Sequence, residues 1–186
     1  MKAGEIYFSV DVEASGPIPG EYSLLSLGAC LVDDVDQTFY AEFQPISDRF
    51  VPEALKVSGF HLQNLARTGQ DPRYAMKAFE AWVTATSGGG TPILVGFNAS
   101  FDWAFVNWYF HKFLDTNPFG IGALDIKAYY MGLTGCQWQA TRSSQLPASL
   151  RGEDEPKEPH NALSDAVRQA KLFRRIMDLR TDLIRR

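Results

Sequence analysis

Apolar and polar positions along this chain follow two periods, and their alternation lays out the elements. Ile6-Tyr7-Phe8-Ser9-Val10-Asp11-Val12 is dense in β-branched and aromatic residues, the mark of a strand buried on both faces. Tyr22 to Val32 reads as a second strand and Thr38 to Phe43 as a third. The short connections between them predict an antiparallel meander. A short helix over Pro52 to Val57 is punctuated by Gly59-Phe60-His61, and another helical turn follows. Asp71-Pro72 supplies an N-cap and a first-position proline for a helix running to about Thr86, which Gly88-Gly89-Gly90 ends.

The second half alternates strand and helix. Pro92 to Phe97 is a buried strand, Ser100 to Leu114 a strongly aromatic helix, and Ile121 to Ile126 a fifth strand with helical residues after it to about Met131. Gln137 to Pro159 carries three prolines and the acidic run Glu153-Asp154-Glu155, which predicts a mobile loop. Asn161 to about Leu179 is the last helix, with Arg168, Lys171, Arg174 and Arg175 on a basic side that reads as solvated. Three strands followed by helix, strand, helix, strand, helix predict an α/β fold, a sheet with helices on both faces.

Composition narrows this only a little. A chain of 186 residues, 45% hydrophobic and 22% charged, is long enough for one well-cored domain spanning 1–186. No apolar run approaches a membrane span, so no membrane partner is expected. Cys30 and Cys136 make no disulfide framework, which points to an intracellular, cytoplasmic setting with Cys30 in the core. The net charge of −4 argues against a protein that coats nucleic acid, but not against one that grips a strand end locally.

The candidate chemistry lies in carboxylates at element ends. Asp11 and Glu13, two apart on a strand, point to the same face. Like charges side by side at the end of an apolar strand are costly unless a cation sits between them. Carboxylate oxygens favour hard ions such as Mg²⁺ or Mn²⁺. Asp102 follows the fourth strand in the first turn of the aromatic helix, and Asp165 lies one turn into the last helix, with His160 before it. Taken singly, each is ordinary: a solvated strand end, a helix-dipole acid, a structural histidine.

Together these five residues resemble the DEDDh family of 3′–5′ exonucleases. The Asp-x-Glu motif is matched by Asp11 and Glu13, the Asn…Phe-Asp motif by Asn98, Phe101 and Asp102, and the His-x₄-Asp motif by His160 and Asp165. Asn161 stands where the sister subgroup carries Tyr, so the histidine variant is the match. The resemblance runs over roughly residues 6 to 178. Two departures touch substrate grip: Phe97 stands where many relatives have His, and Pro17 where many have Leu or Met.

The resemblance implies a ribonuclease-H-like fold with a central mixed five-stranded sheet. It also implies a site with two ions, Mg²⁺ or Mn²⁺. Asp11 would bridge both, Glu13 and Asp165 would hold the ion that binds the attacking water, and Asp102 would support the second. His160 would be the general base, and Ala14, Gly16, Asn98 and Phe101 would touch the substrate. The expected activity is release of nucleoside 5′-monophosphates from the 3′ end of single-stranded RNA or DNA, RNA slightly favoured. Homodimers occur in the family, and a homodimer is an expectation on that ground alone. A competing reading is a catalytically silent nucleic-acid-binding subunit, although such relatives would be expected to lose a carboxylate or the histidine. Most rings of the aromatic helix read as core, Asp125 as structural, and His61 and His111 carry no role. Glu153, Asp154, Glu155 and Glu158 precede His160, and their charge would favour its protonated form.

Overall fold

A computed structural model describes residues 4–151 and 161–184, with side chains to residue 180. One sheet of five strands runs in the order β3-β2-β1-β4-β5. The strands are β1 (Glu5–Ala14), β2 (Leu24–Leu31), β3 (Thr38–Glu42), β4 (Thr91–Gly96) and β5 (Ala123–Asp125). The first three form the antiparallel meander, and β4 and β5 add in parallel on the other side of β1. The sheet is therefore mixed, as expected. Strands β1, β4 and β5 point the same way, so their carboxyl ends share one edge.

Alternation along β1 assigns the two faces. Phe8, Val10, Val12 and Ala14 pack with α3 (Pro72–Ser87) and α4 (Ala99–Leu114), through Phe79, Val83, Phe105, Tyr109 and others. Tyr7 and the residues in step with it, Ser9, Asp11 and Glu13, face the other layer, built from α5 (Ile126–Thr134) and α7 (Ala162–Ile184). Two short helices, α1 (Pro52–Ser58) and α2 (Leu62–Thr68), connect the meander to α3. Asp71 caps α3 by accepting from Arg73 N and Tyr74 N, as its sequence signature predicts.

Helix α7 lies unusually close to the sheet. Its inner face repeats small residues, Ala162, Ala166 and Ala170, all fully buried. The hydroxyl of Ser9 donates to Ala166 O at 2.8 Å. Gly28, opposite Asp11 in the β1–β2 ladder, makes the approach possible: a Cβ there would sit 2.2 Å from Leu163 N and 2.3 Å from Ala162 C. Backbone cannot yield to such a clash, so the N-terminal turn of α7 needs glycine beneath it.

The segment expected to be a mobile loop from Gln137 to Pro159 is corrected in its first part. Residues 138–141 and 143–145 form 3₁₀ turns, and α6 (Ala148–Arg151) follows, with Thr141, Leu146 and Leu150 buried. Leu146 and Leu150 cover the α5–α7 core, an apolar spacing that the prolines and acids around it masked. Residues 152–160, with the acidic run, lie outside the described residues. The fifth strand is also shorter than expected: Ile121 is fully exposed between Gly120 and Gly122. Nor is the basic side of α7 merely solvated. Arg174 donates to Asp33 O, and Arg175 to Leu150 O and Arg151 O. Among the described residues no helix is long and apolar enough to cross a membrane.

Gly28→Ala is expected to lower thermal stability by about 1–3 kcal/mol, the usual cost of overpacking. It should also weaken divalent-ion binding, because α7 must lift. Melting curves with and without Mn²⁺ check this. A variant that keeps both wild-type stability and the full Mn²⁺-induced shift would contradict the packing argument.

Candidate active site

The carboxyl edge of the parallel strands gathers the predicted acids. Asp11 and Glu13 stand half-buried at the end of β1, and Asp165 is brought over them by the first turn of α7. Oxygens of these three lie within 4.8 Å of one another. Asn161 fixes that turn, its Oδ1 accepting from Ser164 N at 3.0 Å.

Asp102 arrives from the opposite layer. The buried stripe of α4 runs Ala99, Asp102, Phe105, Val106, Tyr109 and Phe110, so this carboxylate occupies a core-facing position of an apolar helix. Pairing of β4 with β1 stops at Ser9, which leaves the later amides of β1 without a strand neighbour on that side. Asp102 Oδ1 accepts one of them, Val12 N, at 3.0 Å. The sheet edge thus orients the fourth acid by a backbone bond of its own.

Gln169, which sequence reasoning passed over, and Arg168, which it placed on a solvated face, complete the frame. Gln169, four positions after Asp165 and buried, donates from Nε2 to Asp11 Oδ1 at 2.6 Å and accepts Phe97 N at its Oε1, 2.8 Å away. It ties the end of β4 to Asp11 through α7. Its position one turn below Asp165 on the same helix face was the available signal. Arg168, assigned to a solvated face, reaches Asp165 Oδ1 at 2.6 Å.

The expected substrate residues divide. Asn98 is exposed at the β4–α4 junction, in the left-handed region at φ 66°, with Oδ1 accepting from Lys127 Nζ at 2.7 Å. Phe101 is 40% exposed and leans on Phe105. Ala14 and Gly16 are buried, Gly16 against the Tyr22 ring, so only their backbone could face a ligand. His160 lies outside the described residues. Asp125 is structural, as expected: Oδ2 accepts from Ala99 N and Oδ1 from Ala128 N, holding the starts of α4 and α5 together.

The electrostatics of the cluster ask for cations. Two ionised carboxylates this close repel by on the order of 3 kcal/mol at an effective dielectric of 20. Burial and the neighbouring Asp102, Asp165 and Glu13 raise the Asp11 carboxyl well above its ordinary value. Burial, then Asp165, pushes Glu13 up to about 7. Asp102 rises to about 7, chiefly by burial, against the opposing bond from Val12 N. An all-oxygen, anionic donor set in which burial raises the Asp11, Glu13 and Asp102 carboxyls fits hard divalent ions. Asp11, Glu13 and Asp165 could hold one ion, and Asp102 stands beside them to share a second.

The sign of the resulting pH dependence is the reverse of the usual acid case. With folded values above unfolded ones, the native state keeps protons that the unfolded chain has lost between roughly pH 4 and 7. That stabilisation is present at acid pH and disappears as pH rises through about 7. In EDTA the protein should therefore melt lower at pH 8 than at pH 5, and excess Mg²⁺ should raise the pH 8 transition more. Equal ion-induced shifts at the two pH values would contradict the assignment.

Comparison with known proteins gives a consistent answer. No family-level sequence model matches the chain. The 3′–5′ DNA exonuclease Cap18 of Escherichia coli is 48% identical over 173 residues, which span 92% of this chain and 91% of that protein. Among solved structures, the nuclease domain of 3′hExo, a DEDDh family member bound to rAMP, superposes with a TM-score of 0.71 at 16% identity, covering 93% of this chain and 92% of the other. The zinc-bound E. coli ExoI–ssDNA complex gives 0.70 at 16% identity, covering 97% of this chain but 43% of its own. These two likenesses establish the ribonuclease-H-like fold. Near 50% identity along almost the whole length of Cap18 carries further: this chain belongs to the DEDDh family of 3′–5′ exonucleases, hydrolases that degrade nucleic acid from the 3′ end.

Proposed function

We propose that the protein removes nucleoside 5′-monophosphates one at a time from the 3′ end of single-stranded nucleic acid, with two Mg²⁺ or Mn²⁺ ions held by Asp11, Glu13, Asp102 and Asp165. The observation that supports this most is the convergence of these four carboxylates, from three separate elements, on the carboxyl edge of the parallel strands. DNA is placed ahead of RNA, because the relative of 48% identity is a DNA exonuclease by name. The sequence alone leaned slightly the other way.

Bound ions would supply Lewis acidity at the phosphoryl oxygens and a nucleophilic water at neutral pH. The chain's own residues do the rest. Gln169 fixes the rotamer of Asp11, and Val12 N fixes Asp102, so neither carboxylate has to reorganise when the substrate arrives. Asn98 offers amide hydrogens at the rim, and Phe101 an apolar ring for the terminal base. His160, whose neighbour Asn161 caps α7, is the proposed base that accepts the proton from water.

Incubation of 5′-labelled DNA and RNA of one sequence with Mg²⁺ or Mn²⁺ tests the reading. A ladder shortening from the 3′ end is expected, faster on DNA. Asp11→Asn should lose at least about a thousandfold in rate, as several kcal/mol of charge stabilisation disappears. If the wild-type protein leaves both strands intact yet retains them on a gel, the silent binding subunit is the better description.

Activity should rise with pH past neutrality, since a base must be neutral to act. Replacing Glu153, Asp154, Glu155 and Glu158 by their amides removes charge that favours the imidazolium, so the rising limb should move to lower pH. A pH–rate profile that stays in place rejects the link between this run and His160.

A further inference from the structure

Lys127 sits at the same sheet edge as the carboxylates, two residues after the end of β5. It is only 8% exposed. Among the described residues no carboxylate pairs with its ammonium. Its Nζ donates to Asn98 Oδ1 at 2.7 Å and lies 4.2 Å from the centroid of the Trp138 ring and 5.7 Å from that of Phe97. A screened ammonium met by one amide oxygen and two ring faces is under-compensated, because cation–π contacts recover only part of the lost hydration. Among the described residues that anionic counterpart is absent, and a bound anion would supply it.

Asn98 carries the argument outward. An ammonium has no acceptor, so the amide oxygen must face Lys127 and the two N–H donors of Nδ2 must face the other way. Asn98 is exposed, and among the described residues its Nδ2 donates to nothing. The left-handed backbone at φ 66°, tolerable for Asn, holds the residue at the tip of the β4–α4 turn, three residues before Phe101 and four before Asp102. Trp138, 47% exposed, lays its ring against the ammonium.

We propose that Lys127 and Asn98 form a clamp for an internucleotide phosphate of the bound strand, on the β5 side of the cleavage site. Lys127 is the positioning residue and the source of charge: it turns the Asn98 amide so that its hydrogens meet the phosphate oxygens, and it supplies positive charge behind them. Trp138 keeps the ammonium in place. Contacts of this kind set register without reading bases, so the clamp acts on any sequence. The proposal rests on the reading of this edge as the place where the 3′ end lies.

The test measures binding separately from cleavage. Anisotropy of a 5′-fluorescein single-stranded DNA, with Ca²⁺ in place of Mg²⁺, is followed across a salt series for wild type, Lys127→Met, Lys127→Arg and Asn98→Ala. Lys127→Met, which fills the same space without charge, should weaken binding about tenfold or more. It should also reduce the slope of log K against log salt by about 0.7. KM should rise while kcat stays within about twofold, Lys127→Arg should restore the slope, and adding Asn98→Ala to Lys127→Met should cost little more. An unchanged salt slope and KM in Lys127→Met, or a loss confined to kcat or melting temperature, would overturn the clamp. Because anisotropy needs no turnover, an inactive wild-type protein would sink the exonuclease reading and leave this comparison decisive for the clamp.

Discussion

The structure depends on holding like charges together at one sheet edge. Asp11, Glu13 and Asp165 lie within 4.8 Å of one another, with Asp102 beside them. Repulsion on the order of 3 kcal/mol for each ionised pair matches or exceeds what a single hydrogen bond to a carboxylate returns, about 1.5–3 kcal/mol, and the cluster holds more than one such pair. Gln169 and Val12 N can orient Asp11 and Asp102, but they cannot neutralise them. Protons or divalent ions must do so. The rest of the fold supplies the rigidity that keeps the acids from simply moving apart.

That rigidity comes from two layers that differ in kind. On the α3–α4 side the sheet packs large rings, Phe8, Phe79, Phe105 and Tyr109, each fully buried and each contributing roughly 1.5–3 kcal/mol through burial alone. On the α7 side the contact is through small residues, Gly28 below and Ala162, Ala166 and Ala170 above. The first layer makes the sheet a fixed platform. The second lets a helix backbone descend on it, so that Asp165 and Gln169 reach Asp11 at hydrogen-bonding and ligand distance. A bulkier residue at Gly28 would leave every acid in the chain and still separate them.

Most of this was legible in the sequence where local signals and global fold agree. Strand β1, the α3 cap at Asp71 and the acidic motifs each announced themselves through periodicity or spacing, and the rings of α4 were read as core because the helix had to pack somewhere. What escaped was set by contacts between distant segments. Gly28 looks like any glycine in a strand, and only the path of α7 gives it a task. Gln169 reads as a polar residue on a helix until Asp11 and Phe97 are found on either side of it. Leu146 and Leu150 were hidden among prolines and acids that spell a loop. Arg168, Arg174 and Arg175 read as a solvated face, because their partners, Asp165 aside, come from other segments.

Charge then explains how an acidic protein can hold a polyanion. With a net charge of −4 and four carboxylates at the site, long-range attraction to nucleic acid is weak. Grip must be local and must come from cations at the site itself. Ions between the acids would reverse the sign of the potential where a scissile phosphate lies, and the ammonium at Lys127 does the same a short way along the edge without any bound ion. The two sources respond differently to conditions. The first depends on pH and on ion supply through carboxyls raised toward neutrality, whereas the second is screened by salt. A site built this way holds a strand only where both sources are satisfied.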